Sequence, residues 1–532
     1  MANGAGNVMD FGAKGDGKAD DTNALQAALN SGYSEIYIPK GIYKITQPLK
    51  VNNRNGMTVY GANSTLSFSN VATGLEFNKC SHIEVRDLEF NGNYSSNYLV
   101  RFNTCSNIHV LNLIIRDCRR SGTDPVIGLR FVGTTFITVE FCHIYNIDSP
   151  VSKVARGIYF AYDDAGKICR YIEVRKCIIQ NITPVDDGDG IQLLQEDGLA
   201  GVTDGSSDAL IFDCTFIDCA KRGVKAQAKG VKVVDCQFFD QNFKYKHSSA
   251  IALFCSNSSA IGNRIKYNYC TSVIAVNNSN DKPQSNIIIE ANIIEISAIN
   301  TQNQYGILFG YANSTWRCDN VIIKDNIFIG DKYYTVIQYT YGNNIQVTGN
   351  ISEQKGITIG QVNTVYPVIN AKISNNTFST ITLAARDSHV SFNTIRGDTY
   401  GIDMLAPCNN VKVNNNLIAN QTVGMIVRDK TVNIQICENT FSQNINLDAQ
   451  ISGREHQIFS NIGLSKLSAP QNGQIAIQNN KTTQSASPPT TGSWDIGDIT
   501  YNSLPKPGGY VGWICTSAGE PGIWKPFGPI SQ

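Results

Sequence analysis

SFNTIRGDTYGIDMLAPCNNVKVNNNLIANQTVGMIVRDKTVNIQICENTF, residues 391–441, states one pattern three times. Asn393-Thr-Ile, Asn416-Leu-Ile and Asn439-Thr-Phe recur 23 residues apart, and the same triplet of a small polar residue, a variable residue and an aliphatic or Phe runs back through the chain. It is Asn376-Thr-Phe, Asn350-Ile-Ser, Asn326-Ile-Phe, Asn292-Ile-Ile and Asn263-Arg-Ile, and earlier Cys236-Gln-Phe, Cys214-Thr-Phe, Cys177-Ile-Ile and Cys142-His-Ile. After Asn326 the intervals are 17 to 26 residues, the length of one β-solenoid coil. Short strands of this kind bury their apolar side only by stacking on the next coil, so the spacing predicts an all-β, single-stranded parallel β-helix. Asn at the repeated turn can hydrogen-bond to its copies, and Cys fills the same slot as a small apolar group.

A second strand repeats in step: GIYF at 157–160, GIQL at 190–193, GVKA at 223–226, AIAL at 250–253, GILF at 306–309 and GIDM at 401–404. With Ile158, Ile191 and Val224 inward, alternation places Tyr159, Gln192 and Lys225 outward on adjacent coils about 4.8 Å apart. The same reasoning predicts Gly157, Gly190 and Gly223 facing outward as a bare stripe, a shallow groove for an extended ligand. The coils between Cys142, Cys177 and Cys214 are 35 and 37 residues long, so the excess leaves as loops beside residues 184–204.

Charge narrows the function. Lys and Arg total 44 against 44 Asp and Glu, and charged residues are 17%, which removes the electrostatic footprint of a nucleic-acid binder. No apolar run approaches the ~18 residues of a membrane span, and MANGAGNVMDFGAKGDG lacks a secretory apolar segment. No membrane partner is expected. The 15 cysteines are an odd number without close pairs and read as buried, reduced thiols.

At the start, Asp20 or Asp21 is placed to cap a short helix over Leu25, Ala28 and Leu29 that ends at Gly32. FGAKGDGKADDTNALQAAL followed by IYIPKGIYKI resembles the opening of the pectate-lyase-like superfamily, right-handed parallel β-helices common in bacteriophage tailspikes. The resemblance implies that the helix plugs the end of the coil, that the chain is a homotrimer, and that a head-binding domain N-terminal to Met1 joins it to the phage tail. We divide the chain into an N-terminal cap at 1–50, a β-helix body at 51–465, a polar linker at 466–493 and a small C-terminal β module at 494–532. Trp494, Trp513 and Trp524 in that module are expected in a small core or trimer contact.

Function concentrates in PVDDGDGIQLLQEDG and the KRGVKAQ that follows one coil later. Asp186, Asp187, Asp189, Glu196, Asp197 and Asp204 fall within 21 positions, with Lys221, Arg222 and Lys225 close behind. Aligning the GI pairs stacks Arg156, Asp189 and Arg222 at one level and Tyr159, Gln192 and Lys225 at another. Asp187 and Asp189, two residues apart on one strand, lie roughly 6.5 Å apart on the same side, a workable glycosidase pair. Arg156, Tyr159, Asp163, Gln192, Lys221, Arg222 and Lys225 are the expected substrate-binding residues. VDDGDGI and RGVK are similar to the acidic and basic motifs of polygalacturonases, although no Gly-His-Gly element lies between them. DDGDGIQ with CAKRGVKAQ resembles tailspike depolymerases of phages that attack encapsulated bacteria such as Acinetobacter.

A rival cluster is expected at the other end of these strands, where the alignment stacks Asp163 on Glu196 and Lys229, making Glu196 an alternative catalytic residue. Tyr305, Tyr311, Trp316, Tyr333, Tyr334, Tyr339 and Tyr341 are candidate sugar-stacking aromatics. The six histidines form no metal motif, and no metal or cofactor is expected. The expected function is a virion-borne depolymerase, made in the bacterial host cytoplasm, that hydrolyses a capsular polysaccharide. The alternatives are a lyase using Lys225 or Tyr159 as base on a uronic-acid glycan, and a spike that binds capsule without cutting it.

Overall fold

A computed structural model of the chain describes residues 4–119, 124–150, 154–184, 187–195, 201–241, 247–277, 282–297, 304–310, 316–361, 367–397, 399–469, 475–478 and 481–532. The chain forms two compact units, Met1–Thr358 and Ile359–Gln532. Both contain parallel β-helix coils.

In the first unit, Thr73–Asn78, Tyr98–Asn103, Val126–Val132, Val154–Ala161, Asp187–Leu194, Arg222–Gln227 and Ser249–Leu253 pair in parallel, each with the next. Inside the coil, Phe77, Phe102, Phe131 and Phe160 stack with ring centroids 4.9, 5.1 and 5.1 Å apart and planes within 8°. The rings repeat at the strand spacing because each is the same position of the same coil. Such a column supplies dispersion contacts along its length as well as burial.

The asparagine slots form ladders. The backbone N–H groups of Cys236, Asn263, Asn292 and Asn326 each donate 3.0 Å to the side-chain oxygen of the Asn one coil on. Cys142, Cys177 and Cys214, which occupy this slot in earlier coils, are buried. All fifteen cysteines are thiols rather than disulfides, and Cys255 is the one that is not fully buried. A buried amide at this corner answers backbone groups that a turn would otherwise leave unpaired.

The helix Thr22–Asn30 buries Thr22, Leu25, Ala28 and Leu29. Its Gln26 amide donates to the Lys50 carbonyl and accepts from the Lys50 N–H, both at 2.8 Å, which pairs the edge of the strand Leu49–Asn52. An open strand edge is thereby closed. Asp21 holds the N-cap position, but its carboxylate turns away to accept from the backbone of Lys14 and Gly15, while Asp20 accepts from Thr22. Ser31 is the C-cap, and Gly32 follows it with a left-handed φ of 88°, ending the helix as expected.

The glycine stripe is the main correction to the expected surface. A Cβ on Gly190 would lie 2.8 Å from the Phe216 ring and 2.7 Å from the Gly223 carbonyl, and one on Gly223 would lie 2.4 Å from the Phe238 ring. These glycines therefore face the core, as the neighbouring Ile191 and Val224 do. Strand alternation fails at the Gly-aliphatic pair, and no bare external groove runs along it. Glycine is required because the rings of the facing strands occupy the side-chain space.

In the second unit, Ile381–Leu383, Tyr400–Met404, Val423–Val427 and Leu447–Ile451 pair in parallel, and Asn376, Asn393, Asn416, Asn439 and Asn461 form its ladder. Its last part is a four-stranded sheet of Thr482–Ser485, Ile499–Asn502, Tyr510–Ser517 and Ile523–Pro529. Residues 482–485, expected in the linker, thus contribute a strand to this sheet. Trp494 meets Trp524 edge-on at 5.0 Å between centroids.

Candidate active site

The register stacks Arg156, Asp189 and Arg222 in one column and Tyr159, Gln192 and Lys225 in another. Parallel pairing without slippage at the Gly-aliphatic positions brings these side chains together from three coils. Tyr159, Gln192 and Arg156 are nonetheless mostly covered.

Two carboxylates share one cation. Arg222 Nη1 donates to Asp187 Oδ1 at 2.8 Å and to Asp189 Oδ1 at 3.1 Å, and Lys225 Nζ lies 3.3 Å from Asp187 Oδ2. The side chain of Asp187 is 37% exposed and that of Asp189 is 0% exposed. Asp189 Oδ2 is sealed from solvent and has no hydrogen-bond partner among the described residues.

Their environments push the two groups in opposite directions. Burial raises the Asp189 carboxyl above the ordinary range, and the attraction of Arg222 and Lys225 does not offset it. Burial also works to raise Asp187, but the Lys225 charge and the Arg222 hydrogen bond outweigh it and hold Asp187 low. Burial works to pull Arg222 down, and Asp189 and Asp187 together hold it up. A paired acid and base need this kind of divergence.

Arg156 donates Nε to Gln192 Oε1 and lies over the Tyr159 ring, 4.4 Å from its centroid. Gln192 passes the chain on to Gln227 at 2.8 Å. Burial pushes the Tyr159 phenol up.

Other expected residues lie elsewhere. Asp163 is in a turn beyond its strand, where Oδ1 accepts from the Ala165 and Lys167 N–H groups at 3.0 and 2.8 Å. Lys229, expected in the same column as Asp163, begins the next strand and pairs with Ser206. Asp186, Glu196, Asp197 and Tyr311 lie outside the described residues. The Lys221 carbonyl accepts from Ser248, and its side chain makes no ion pair among the described residues. Trp316, Tyr333 and Tyr339 are buried in the coil and cannot stack on a sugar, whereas Tyr334 is exposed and meets Tyr305 edge-on at 5.8 Å. Among the described residues, no three His, Cys, Asp or Glu side chains are grouped for a metal ion. A depression of about 830 Å³ in the second unit, lined by Asp429, Lys430, Gln450, Ser452 and Arg454, brings no two carboxylates together.

Three residues on the same face were passed over in the sequence. Arg130 pairs with Tyr159 and with Arg101, and Tyr98 pairs with Ile127. The signal was present: Val126-Ile-Gly-Leu-Arg-Phe matches Ala155-Arg-Gly-Ile-Tyr-Phe, with Leu in place of Ile after the glycine.

A family model described as rhamnogalacturonase A/epimerase, pectate lyase-like, matches residues 5–292, more than half of the chain. A stretch of 44 residues is 52% identical to alginate lyase 7 of Azotobacter vinelandii, covering 8% of this chain and 5% of that protein. Over 149 residues the chain is 26% identical to the pre-neck appendage protein of Bacillus phage phi29, covering 23% of this chain and 16% of that one. The chain therefore spans only a small part of these relatives. The crystal structure of the pre-mature phage phi29 gene product 12 aligns over 91% of this chain and 60% of its own at 13% identity, with a TM-score of 0.45.

Proposed function

The chain belongs to the rhamnogalacturonase A/epimerase family of pectate-lyase-like proteins, and on that footing we propose that it is a virion-borne, homotrimeric depolymerase that hydrolyses a bacterial capsular polysaccharide. The observation that carries the hydrolytic reading is the Asp187–Asp189 pair, held on one Arg222 nitrogen and driven apart in proton affinity. Because both oxygens touch the same atom, they lie within about 6 Å of each other. That is short of the ~6.5–9.5 Å that leaves room for a water between two carboxyl groups.

Asp189, which substrate binding must first uncover, gives its proton to the glycosidic oxygen as the bond to the anomeric carbon breaks, and the leaving sugar departs as an alcohol. The ionised Asp187 adds to that carbon. Water, giving a proton to the Asp189 carboxylate, then displaces Asp187 and restores both groups. Arg222 and Lys225 keep Asp187 ionised, and the Arg156–Gln192 contact fixes the wall beside it.

A lyase is less well supported. Tyr159, one candidate base, has its phenol pushed up by burial, and Lys225, the other, is paired with Asp187. Digestion of purified capsule tests the assignment. We expect new reducing ends without near-ultraviolet absorbance, lost in Asp187→Asn and Asp189→Asn variants that melt as cooperatively as the parent. Ultraviolet-absorbing products would establish a lyase, and capsule bound but uncut would leave a receptor-binding spike.

A further inference from the structure

Arg130 is a cation without a counter-charge. Among the described residues no carboxylate lies within ion-pair distance of it, whereas Arg101 on the preceding strand and Arg222 further along the same face each hold one. Its guanidinium lies 5.3 Å from the Tyr98 ring centroid and 5.8 Å from that of Tyr159. Its Nε is sealed from solvent with no acceptor. Burial, and then the like charge of Arg101 and of Arg156, works against its ionised state. Arginine keeps its proton regardless, so the unmet demand is for an anion.

The neighbours do not supply one. Arg101 is 3.4 Å from Glu76 and donates to Asn103 at 2.7 Å, so the carboxylate beside Arg101 is already engaged. Arg156 is turned to Gln192. Further along the same face, Arg222 and Lys225 both contact Asp187, whereas Arg130 contacts no carboxylate among the described residues. Ile127, Val132, Tyr159 and Ala161 pack together on this face with Tyr98 and Leu194 against them. Water is thinned around the guanidinium, and a charge-assisted contact there is correspondingly strong.

We propose that Arg130, flanked by Arg101 and Arg156, is the subsite for an anionic substituent of the glycan, a carboxylate or phosphate whose oxygens complete the guanidinium fork. Its strand is two coils from that of Asp189, and Arg130 shares a level with Tyr159 and Gln192, three residues further along, so the backbone positions of Arg130 and Asp189 are about 14 Å apart, a span of two to three sugar units. The inference rests on the polysaccharide reading above and narrows it to acidic glycans. Recognition falls on Arg130 rather than on Arg222 and Lys225.

Affinity electrophoresis of the full chain in gels containing polygalacturonate, alginate or a ribitol-phosphate teichoic acid tests this, each beside a neutral control: the carboxyl-reduced uronans and dextran. The parent is expected to be retarded by at least one acidic polymer, the uronans marking a carboxylate subsite and the teichoic acid a phosphate one. Arg130→Ala and Arg130→Gln are expected to weaken that retardation about tenfold or more, with binding to the neutral control unchanged. Arg130→Lys keeps the charge without the fork and is expected to fall between. A parent retarded by no acidic polymer, variants as tightly bound as the parent, or an equal loss on acidic and neutral polymers would each overturn the proposal. If Arg130→Ala melts early, the Gln and Lys variants decide alone. Asp187→Asn separates the two readings: it frees Arg222 and Lys225 and is expected to bind the acidic polymers at least as tightly as the parent while losing cleavage, and if it still cleaves, the catalytic assignment fails while the Arg130 result stands.

Discussion

Each unit holds an arginine against an aspartate on a strand of the same repeat, and the two contacts are built differently. In the second unit Arg428 meets Asp403 with both ends of its fork, Nε to Oδ1 at 2.7 Å and a terminal nitrogen to Oδ2 at 2.8 Å. One cation answers one carboxylate, both oxygens are used, and the arginine lies 5.5 Å from the Tyr400 ring centroid. In the first unit Arg222 divides a single nitrogen between Asp187 and Asp189 and leaves Asp189 Oδ2 with nothing. The closed pair is what a structural ion pair looks like when the chain is free to satisfy it. The open one keeps a buried atom without a hydrogen-bond partner among the described residues, at a cost in stability.

The comparison breaks first on rate. Asp187→Asn is expected to slow depolymerisation by about 10²–10⁴, while Asp403→Asn leaves the rate within about twofold, as read from reducing ends released per minute. It sharpens next on stability. Arg428→Ala strands the mostly buried Asp403 and is expected to cost about 2–3 kcal/mol in denaturant unfolding, and Arg428→Lys, which keeps charge without the fork, about 1 kcal/mol.

The smallest effect is in pH dependence, and there the two site carboxylates oppose each other. Asp187 is held low, so its contribution to stability is present above its unfolded value near 3.8 and is lost as the pH falls through its lower folded value. Asp189 is pushed up, so its contribution is present below that same unfolded value and is lost as the pH rises through its higher folded one. Asp189→Asn is therefore expected to lose less stability than the parent as the pH rises from 4 to 7, and, with the range extended below pH 3.8, Asp187→Asn is expected to lose less than the parent as the pH falls. Unfolding midpoints across that range read both, and parallel curves would show that the pair is not driven apart.

The coil was legible because its signal is a spacing. A buried Asn or Cys must return once per turn, and that repeat also sets the register that stacks Arg156 on Asp189 and Arg222. What was not legible depends on direction. Gly190 and Ile191 both face the core, and alternation along a strand has no means of announcing the corner where it fails. Asp163 and Lys229 were extended past strand ends that the spacing does not mark, so the column expected there does not form. Tyr333, Tyr339 and Trp316 are as aromatic as exposed platform residues, and only the packing shows them inside. Arg130 escaped notice because its glycine is followed by Leu129, and its lack of a carboxylate among the described residues depends on what its neighbours already hold.

The asparagine ladder has one more consequence. Its rungs are 17, 22, 23, 24, 29 and 34 residues apart in sequence, yet each backbone-to-side-chain hydrogen bond measures 3.0 or 3.1 Å. The frame thus meters the chain by rungs and is indifferent to how much sequence is spooled out between them. Insertions can accumulate at the loops without shifting a single strand partner. A lineage of such proteins could exchange the loops that meet a new sugar coat while inheriting the columns beneath them intact.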